Sequence, residues 1–193
     1  MIIGLCGNKG HGKDTLADIL VNKYNFKKLA FADILKNSLK ELFDWDDKSF
    51  SHEFKENKDN YWGVSPREMC QQLGTEFLRL HCKDLISSKF VLPTKEEYTG
   101  SFHIKRINLQ VIKLLKDNCN IVFSDVRFQD EVNYIKKLNG YIIKIFRPNI
   151  NQNLYNNHIS ESEIDNLINI DRELVNIDLE CVDKELDSIL KSI

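Results

Sequence analysis

The chain of 193 residues lacks the charge pattern and the long apolar runs that mark two large classes of protein. Lysine and arginine number 27 against 29 aspartates and glutamates, so the formal net charge is −2. A protein that binds nucleic acid usually carries a basic excess, and we therefore expect no nucleic-acid partner. No apolar run is long enough to span a membrane, and the apolar residues 1–7 are too short for a signal peptide. A cytoplasmic protein without membrane contact is expected.

The sequence also lacks any C-x-x-C pair. Its cysteines number five, an odd count. A zinc site or a disulfide framework is therefore not expected, and a reducing compartment is. No internal repeat and no linker rich in glycine or serine interrupts the chain. A length of 193 residues fits one domain with small insertions.

Short apolar runs alternate with segments whose apolar residues recur at helical spacing. The predicted strands are residues 2–6, 28–32, 121–125, 141–146 and 174–177. The predicted helices are residues 13–24, 34–43 with Asp33 as N-cap, 65–80, 104–116, 128–138 and 181–190. Residues 44–63 are predicted to form a partly helical, mobile segment. Because the strands are mostly apolar, the alternation predicts an α/β fold whose parallel sheet is covered on both faces.

Residues 7–13 read G-N-K-G-H-G-K and match the phosphate-loop pattern G-x-x-x-x-G-K. The motif lies directly after a predicted strand and directly before a predicted helix, which is the context that it requires. Its glycines let successive backbone N–H groups point at phosphate oxygens, and the helix adds its positive dipole end. Lys13 is expected to reach the β- and γ-phosphates of ATP and to act in catalysis. The candidate nucleotide-binding residues are Gly7, Gly10, His11, Gly12, Lys13, Asp14 and Thr15.

The loop departs from the usual motif at one position. The residue after Lys13 is Asp14, and the hydroxyl comes one residue later, at Thr15. The usual Mg²⁺-binding hydroxyl is therefore missing. The Asp14 carboxylate could hold Mg²⁺ directly or through water, because hard cations accept carboxylate oxygen. The alternative role is a stabilising acid in the first turn of a helix, and the two roles can coexist.

The predicted helix 65–80 has an unusual polar face. At 100° per residue, one arc of the helix holds the polar and small residues; they are Arg67, Gln71, Gly74 and Thr75, with Arg79 at the edge. The opposite side gathers a core stripe, Met69, Leu73, Phe77 and Leu80. Glycine inside a helix costs about 1 kcal/mol against alanine, and the close approach of a ligand or another backbone would account for it. The alternative is a solvated polar face.

Further candidates follow strand ends. Asp125 and Arg127 lie at the carboxyl end of a predicted strand, where parallel sheets place ligands. Asp125 could orient Mg²⁺-bound water and Arg127 could bind phosphate, or the two could form a structural ion pair. Arg147 is a candidate lid arginine before the asparagine-rich residues 149–157. Lys9 and Lys36 could reach an acceptor phosphate, although a surface lysine is the default. His158 is expected to be structural rather than catalytic.

Several ordered motifs resemble the deoxynucleoside monophosphate kinases of large phages and related viruses. They are G-N-K-G-H-G-K-D-T-L-A at 7–17, F-A-D-x-L-K at 31–36, S-P-R-E-x-x-Q-x-L-G-T-E-x-x-R at 65–79, S-D-V-R-F-x-x-E at 124–131, H-x-S-E at 158–161 and D-x-x-L-x-N at 171–176. The resemblance covers most of the chain. The G-K-D-T variant belongs to that family, so Asp14 looks like a family trait.

The resemblance implies transfer of the γ-phosphoryl group of ATP, with Mg²⁺, to a deoxynucleoside monophosphate. It also implies a nucleoside-monophosphate-kinase-like fold of about five parallel strands, with core residues 1–43 and 104–193, an acceptor-binding insertion 44–103 and a lid 147–160. The expected partners are the small-molecule substrates, ATP and a deoxynucleoside monophosphate. A homodimer is possible, because members of the family often pair. The implied acceptor-side residues are Lys9, Asp33, Lys36, Arg67, Gln71, Gly74, Thr75 and Arg79, with Trp62 as a candidate for stacking on the base or as an ordinary aromatic.

Two other readings stay open at this point. One keeps the fold and changes the acceptor to a small phosphorylated metabolite, as in phosphomevalonate kinases or dephospho-coenzyme-A kinases. The other is a nucleotide-binding module without kinase activity. A GTP switch should show D-x-x-G after its strand, whereas residues 125–128 read D-V-R-F and no N-K-x-D motif follows. The sequence does not indicate which bases are accepted.

Overall fold

The architecture is a five-stranded parallel sheet with helices on both faces, seen in a computed structural model that describes residues 1–83, 89–148 and 163–192. Its strands are β1 Ile2–Cys6, β2 Phe26–Leu29, β5 Asn120–Val126, β6 Tyr141–Phe146 and β7 Arg172–Val175. They lie side by side in the order β2–β5–β1–β6–β7. Two short strands, β3 Phe90–Val91 and β4 Glu97–Tyr98, lie outside this sheet. The predicted fold class is confirmed.

Six helices in the described part of the chain are α-helical. Their bounds are α1 Lys13–Tyr24, α2 Asp33–Phe43, α3 Pro66–Met69, α4 Phe102–Lys116, α5 Gln129–Lys137 and α6 Leu179–Ser192. Short 3₁₀ turns cover Lys48–Phe50 and Glu163–Asn166. None of these described helices combines the length and the apolar character that a membrane span needs.

Both faces of the sheet are buried at β1, whose successive residues face opposite sides of the sheet. Ile3 and Leu5 pack into a core cluster with apolar residues of α1 and α6. On the other face, Gly4 lets α5 approach, since a Cβ there would lie 2.7 Å from the Cδ1 of Ile135. This two-sided burial explains why β1 reads as a continuous apolar run.

Three local predictions shift by a few residues. Strand β7 covers Arg172–Val175 instead of 174–177. Strand β2 begins at Phe26 and ends at Leu29, instead of spanning 28–32. Asn25 ends α1 in the left-handed region, so the chain enters the sheet at once, with Phe26 buried. Asp33 is the first residue of α2, and its N-cap is Ala32, which makes no side-chain cap. The predicted N-cap role of Asp33 is therefore wrong by one residue.

The helix after Pro66 differs in kind from the expected one. Ser65 caps it: its hydroxyl accepts from the Glu68 N–H at 3.2 Å, and its own N–H donates to Glu68 Oε2 at 2.7 Å. From Cys70 to His81 the chain is a π-helix, with i→i+5 hydrogen bonds. The 100° spacing does not apply there. In consequence Phe77 and Leu80, predicted as core, are 50% and 48% exposed.

The chain divides into two compact units. The first contains Met1–Ala30, Val91–Glu96 and Asn108–Ile193, and so it contains the five-stranded sheet. The second contains Phe31–Phe90 and Glu97–Ile107. Residues 31–43, assigned to the core from sequence, are grouped with the second unit. That unit has its own apolar cluster around Leu35, Leu39 and Trp45. The acceptor role of the insertion stays a prediction.

Candidate active site

The phosphate loop leaves the centre of the sheet at its carboxyl edge. Strand β1 lies between β5 and β6, with Cys6 in register with Val126 on one side and Lys144 on the other. Gly7 therefore begins the loop between the ends of two neighbouring strands, and it does so where the chain order reverses across the sheet. Such a crevice is where open parallel sheets bind ligands.

The loop conformation depends on three glycines with positive φ angles. Gly7, Gly10 and Gly12 have φ of 139°, 83° and 101°, which L-residues rarely adopt. Gly7 has a second constraint, because a Cβ there would collide with the backbone oxygen of Ile145. The strand β6 thus lies directly against the first residue of the loop.

Lys13 reaches back over the loop that it ends. Its Nζ donates to the carbonyl oxygens of Gly7 at 2.6 Å and Asn8 at 3.0 Å. The ammonium therefore lies beside the loop backbone, at the start of α1, where the helix dipole is positive. A cation and a helix N-terminus together form a site for phosphate. Lys9, two residues into the loop, is half-buried.

His11 points toward β6. The residue is 4% exposed, and its Nδ1 lies 3.1 Å from the carbonyl oxygen of Ile145. Its ring packs edge-to-face on that of Phe146, with 5.6 Å between the ring centroids. Because a carbonyl can only accept, Nδ1 carries the proton. Burial lowers the pKa of His11 below its ordinary value, so the ring is neutral at pH 7. Its side chain anchors the loop, and its role in nucleotide binding stays a prediction.

Asp14 lies on the outer side of α1. Its carboxylate is 83% exposed and forms an ion pair with Lys28 at 3.2 Å. Lys28 also contacts Asp18 at 3.0 Å. The neighbouring Thr15 is exposed. Within the described residues, no three carboxylate, histidine or cysteine side chains are arranged to hold a metal ion, so Mg²⁺ binding by Asp14 or Asp125 stays a prediction.

The end of β5 and the turn after it carry the candidates Asp125 and Arg127, and Glu131 fixes this turn. Asp125 lies half-buried at the end of β5, and Arg127 follows it. The buried carboxylate of Glu131 accepts from the N–H groups of Arg127 at 2.8 Å and Phe128 at 3.2 Å. Glu131 therefore fixes the backbone turn on which Arg127 stands.

The end of β6 carries the lid arginine proposed from sequence. Arg147 is exposed directly after β6. The predicted lid continues to residue 160. Of that remainder the structure describes only Pro148, so His158 lies outside the described residues. Five of the described candidate residues belong to the first unit and lie at the carboxyl edge of the sheet: Lys9, Lys13, Asp125, Arg127 and Arg147.

The residue that follows the last strand also contacts the phosphate loop. The side-chain amide of Asn176 donates to the carbonyl oxygen of His11 at 2.9 Å. The backbone N–H of Asn176 donates to the carbonyl oxygen of Phe146 at 2.7 Å, and this bond to β6 fixes the position of Asn176. Within the same motif, Asp171 accepts from the Ile142 N–H at 2.7 Å and forms an ion pair with Lys136.

The acceptor-side candidates lie in the second unit, apart from Lys9. The Arg67 side chain is largely buried, and its Nε lies 3.5 Å from Glu56 Oε1. The Nε2 of Gln71 is buried and makes no hydrogen bond within the described residues. A buried amide donor without a protein partner is costly and suits a site that a ligand completes. Asp33 is exposed at the start of α2, Lys36 is half-buried in its first turn, and Arg79 is half-buried.

Two other candidates have packing roles. Gly74 is buried, and a Cβ there would lie 2.6 Å from the Cδ2 of Leu35; its carbonyl oxygen lies 3.1 Å from His103 Nε2. Packing against α2 thus accounts for the glycine, and Thr75 beside it is buried too. Trp62 Nε1 donates to the Phe43 carbonyl at 2.9 Å, and the ring is 44% exposed.

Comparison with known proteins decides the family. No family model matches the chain. The "Putative deoxynucleotide monophosphate kinase" of Acanthamoeba polyphaga mimivirus is 37% identical over 174 residues, covering 89% of this chain and 86% of that protein. The chain belongs to the deoxynucleotide monophosphate kinase family.

One solved structure with a TM-score above 0.5 supports the fold of this kinase family member. The protein TT1252 from Thermus thermophilus matches with a TM-score of 0.53 and 16% identity, covering 100% of this chain and 97% of that one. The dephospho-CoA kinase from Campylobacter jejuni matches with a TM-score of 0.48 and 17% identity, covering 99% of this chain and 98% of that one.

Two contacts of this kinase-family chain were not predicted from the sequence. The glutamate that ends S-D-V-R-F-x-x-E is Glu131, and the asparagine that ends D-x-x-L-x-N is Asn176. A glutamate three residues into a helix is a known capping signal, so Glu131 could have been found. Asn176 carries no such local signal, because its partner His11 is 165 residues away.

Proposed function

We propose that this protein transfers the γ-phosphoryl group of ATP to a deoxynucleoside monophosphate and so supplies precursors for DNA. An oxygen of the acceptor phosphate bonds to the γ-phosphorus, and the bond from that phosphorus to the β,γ-bridging oxygen breaks. The products are ADP and a deoxynucleoside diphosphate. The observation that carries the proposal is the 37% identity, over 89% of the chain, to a protein named as a kinase of that class.

The phosphate loop supports the donor half of the proposal. Its three positive-φ glycines, the start of α1 and the Lys13 ammonium form a cationic, donor-rich concavity at the centre of the sheet edge. When ATP binds, Lys13 is expected to exchange the carbonyls of Gly7 and Asn8 for phosphate oxygens. Arg127 and Arg147, at the ends of the flanking strands, would neutralise charge on the transferred group.

Arg67 and Gln71 support the acceptor half of the proposal. The guanidinium of Arg67 suits a phosphate, which it can bind through two parallel hydrogen bonds. The buried Nε2 of Gln71 suits a base carbonyl, because a ligand acceptor would satisfy that donor. Trp62 keeps an exposed face for stacking while its Nε1 holds the Phe43 carbonyl.

The residues present fit a Mg²⁺ ion that is held mainly by ATP. Mg²⁺ in phosphoryl-transfer sites usually binds through one or two carboxylates plus substrate phosphates, so a cluster of three carboxylates is not required. Asp125, at the end of β5 beside the loop, offers one carboxylate. Asp14 offers a second only if it leaves Lys28. The ion would neutralise charge on the phosphate oxygens.

A coupled assay of ADP release tests the proposal. It uses ATP and Mg²⁺ with a panel of deoxy- and ribonucleoside monophosphates, and also with phosphomevalonate and dephospho-coenzyme A. Acceptor-dependent turnover with deoxynucleoside monophosphates, absent in Lys13→Ala, is the expected result. Turnover with only one of the two metabolites would replace the acceptor and keep the kinase. Loss of acceptor dependence throughout would leave a nucleotide-binding module.

A further inference from the structure

Asn176 lies where the last strand meets the phosphate loop. Its backbone N–H donates to the carbonyl of Phe146 at 2.7 Å, directly after β7 ends at Val175. Its side-chain Nδ2 donates to the carbonyl oxygen of His11 at 2.9 Å. The residue that directly follows β7 is thus bonded to β6 through its backbone and holds a loop residue through its side chain.

The next loop residue makes room for this amide. A Cβ on Gly12 would collide with Asn176 Nδ2, and Gly12 has a φ of 101°. The absence of a side chain at residue 12 therefore serves the Asn176 contact as well as the turn. Gly12 also precedes Lys13, and its carbonyl accepts the first helical hydrogen bond of α1, from Leu16 at 3.0 Å.

The hydrogen bond to His11 sets the direction of the peptide that joins His11 to Gly12. Because a peptide unit is planar, an oxygen fixed toward Asn176 fixes the Gly12 N–H toward the opposite side. His11 is held a second time, through its Nδ1 contact with Ile145. Ile145 of β6 and Asn176, which follows β7, therefore hold one residue of the loop, and this limits the peptide flips that would turn a donor away from a phosphate.

We propose that Asn176 is a positioning residue for the phosphate loop: it orients the His11–Gly12 peptide so that the loop binds the phosphates of the donor nucleotide. The inference rests on the proposed function, since the loop must bind a nucleotide for the orientation to matter. It assigns Asn176 to the donor side alone. Asn176 has no role toward the acceptor.

Calorimetric binding of ADP, used as the probe, tests the assignment. In Asn176→Ala the Kd for ADP is expected to rise about fivefold, which corresponds to one hydrogen bond between neutral groups. In steady-state kinetics the KM for ATP should rise by a similar factor while the KM for the acceptor stays unchanged. Asn133→Ala is the matched control, because the exposed Asn133 accepts a hydrogen bond from Gln129 at 3.0 Å on α5, outside the loop.

Asn176→Asp keeps the shape of the side chain and replaces the donor by a carboxylate oxygen facing the His11 carbonyl. It decides the question if Asn176→Ala does not fold. Its affinity for ADP should be weaker than wild type at pH 7.5 and recover in part, relative to wild type, toward pH 4.5, because a carboxylate that faces a carbonyl oxygen takes up a proton more readily than a free one and can then donate it.

Equal ADP affinity in the wild-type protein and the Asn176 variants would overturn this inference and leave the proposed function standing. A parallel rise in the KM of the acceptor would also overturn it, because the effect would then be general. A wild-type protein that binds no ADP would overturn the proposed function and this inference together.

Discussion

The Nζ of Lys13 lies 2.6 Å from the carbonyl oxygen of Gly7, so the last residue of the phosphate loop contacts the first. Gly7 has a φ of 139°, which L-residues rarely adopt. These hydrogen bonds hold the positive charge of Lys13 over the loop. A cation beside the N-terminus of α1 suits an anionic ligand.

Lys13→Ala should lower turnover by at least about a hundredfold, because it removes a charged donor from the transferred phosphoryl group. The unfolding free energy should change much less than turnover does, since water can replace the ammonium at the carbonyls of Gly7 and Asn8. Kinetics and urea unfolding measure the two quantities. Lys116→Ala, at an exposed position on α4, is the control, and activity retained by Lys13→Ala would refute the assignment.

Gly7→Ala should destabilise the protein more than Gly63→Ala does. Both glycines have positive φ, 139° and 71°, but only Gly7 faces a backbone oxygen, that of Ile145, while Gly63 has open space. Backbone strain alone costs about 1–2 kcal/mol, and the Gly7 variant adds a collision with a backbone atom that cannot rotate away. Urea unfolding of the two variants measures the difference; equal losses would contradict the described contact between the loop and β6.

Folding stability should fall as the pH drops below about 6.5, in part because of His11. Burial lowers the pKa of His11 in the folded state, so between the folded and the unfolded pKa the unfolded chain binds more protons. Stability is therefore complete above the unfolded pKa and declines as the pH falls toward the folded one.

The pH dependence can be isolated by comparison with a variant. His11→Asn removes the titrating ring and keeps a side-chain donor. Its loss of unfolding free energy between pH 7.5 and pH 5.5 should be smaller than that of the wild-type protein. Identical losses in the two proteins would show that other groups account for the whole effect.

Glu131→Ala should cost about 2–4 kcal/mol of unfolding free energy, because it removes two charge-assisted hydrogen bonds to the backbone of Arg127 and Phe128. Glu131→Gln, which keeps an acceptor oxygen, should cost less. Turnover should fall in both variants, since Arg127 stands on this turn. A stability change in Glu131→Ala no larger than in Asn133→Ala would be the contrary result.

Local patterns were sufficient for much of the sheet. Strands β1 and β6 and helix α1 have the predicted bounds, since each is a compact apolar or periodic run between clear start and stop residues. The predicted β2 was displaced toward its carboxyl end because the register against β5, with Phe26 opposite Asn120, is set by pairing and not by composition. The π-helix Cys70–His81 could not be predicted, since i→i+5 bonding leaves no distinct signature in the residues.

The sequence by itself determined the family, the phosphate loop and the parallel α/β fold, because these depend on motifs of adjacent residues and on hydrophobic periodicity. Only the tertiary structure decided that His11 is buried and turned toward Ile145, that Gly74 meets Leu35, and that Asn176 holds the loop. The physical reason is distance along the chain. These contacts join residues from different elements, and hydrogen bonds and steric exclusion between them exist only once the elements have packed.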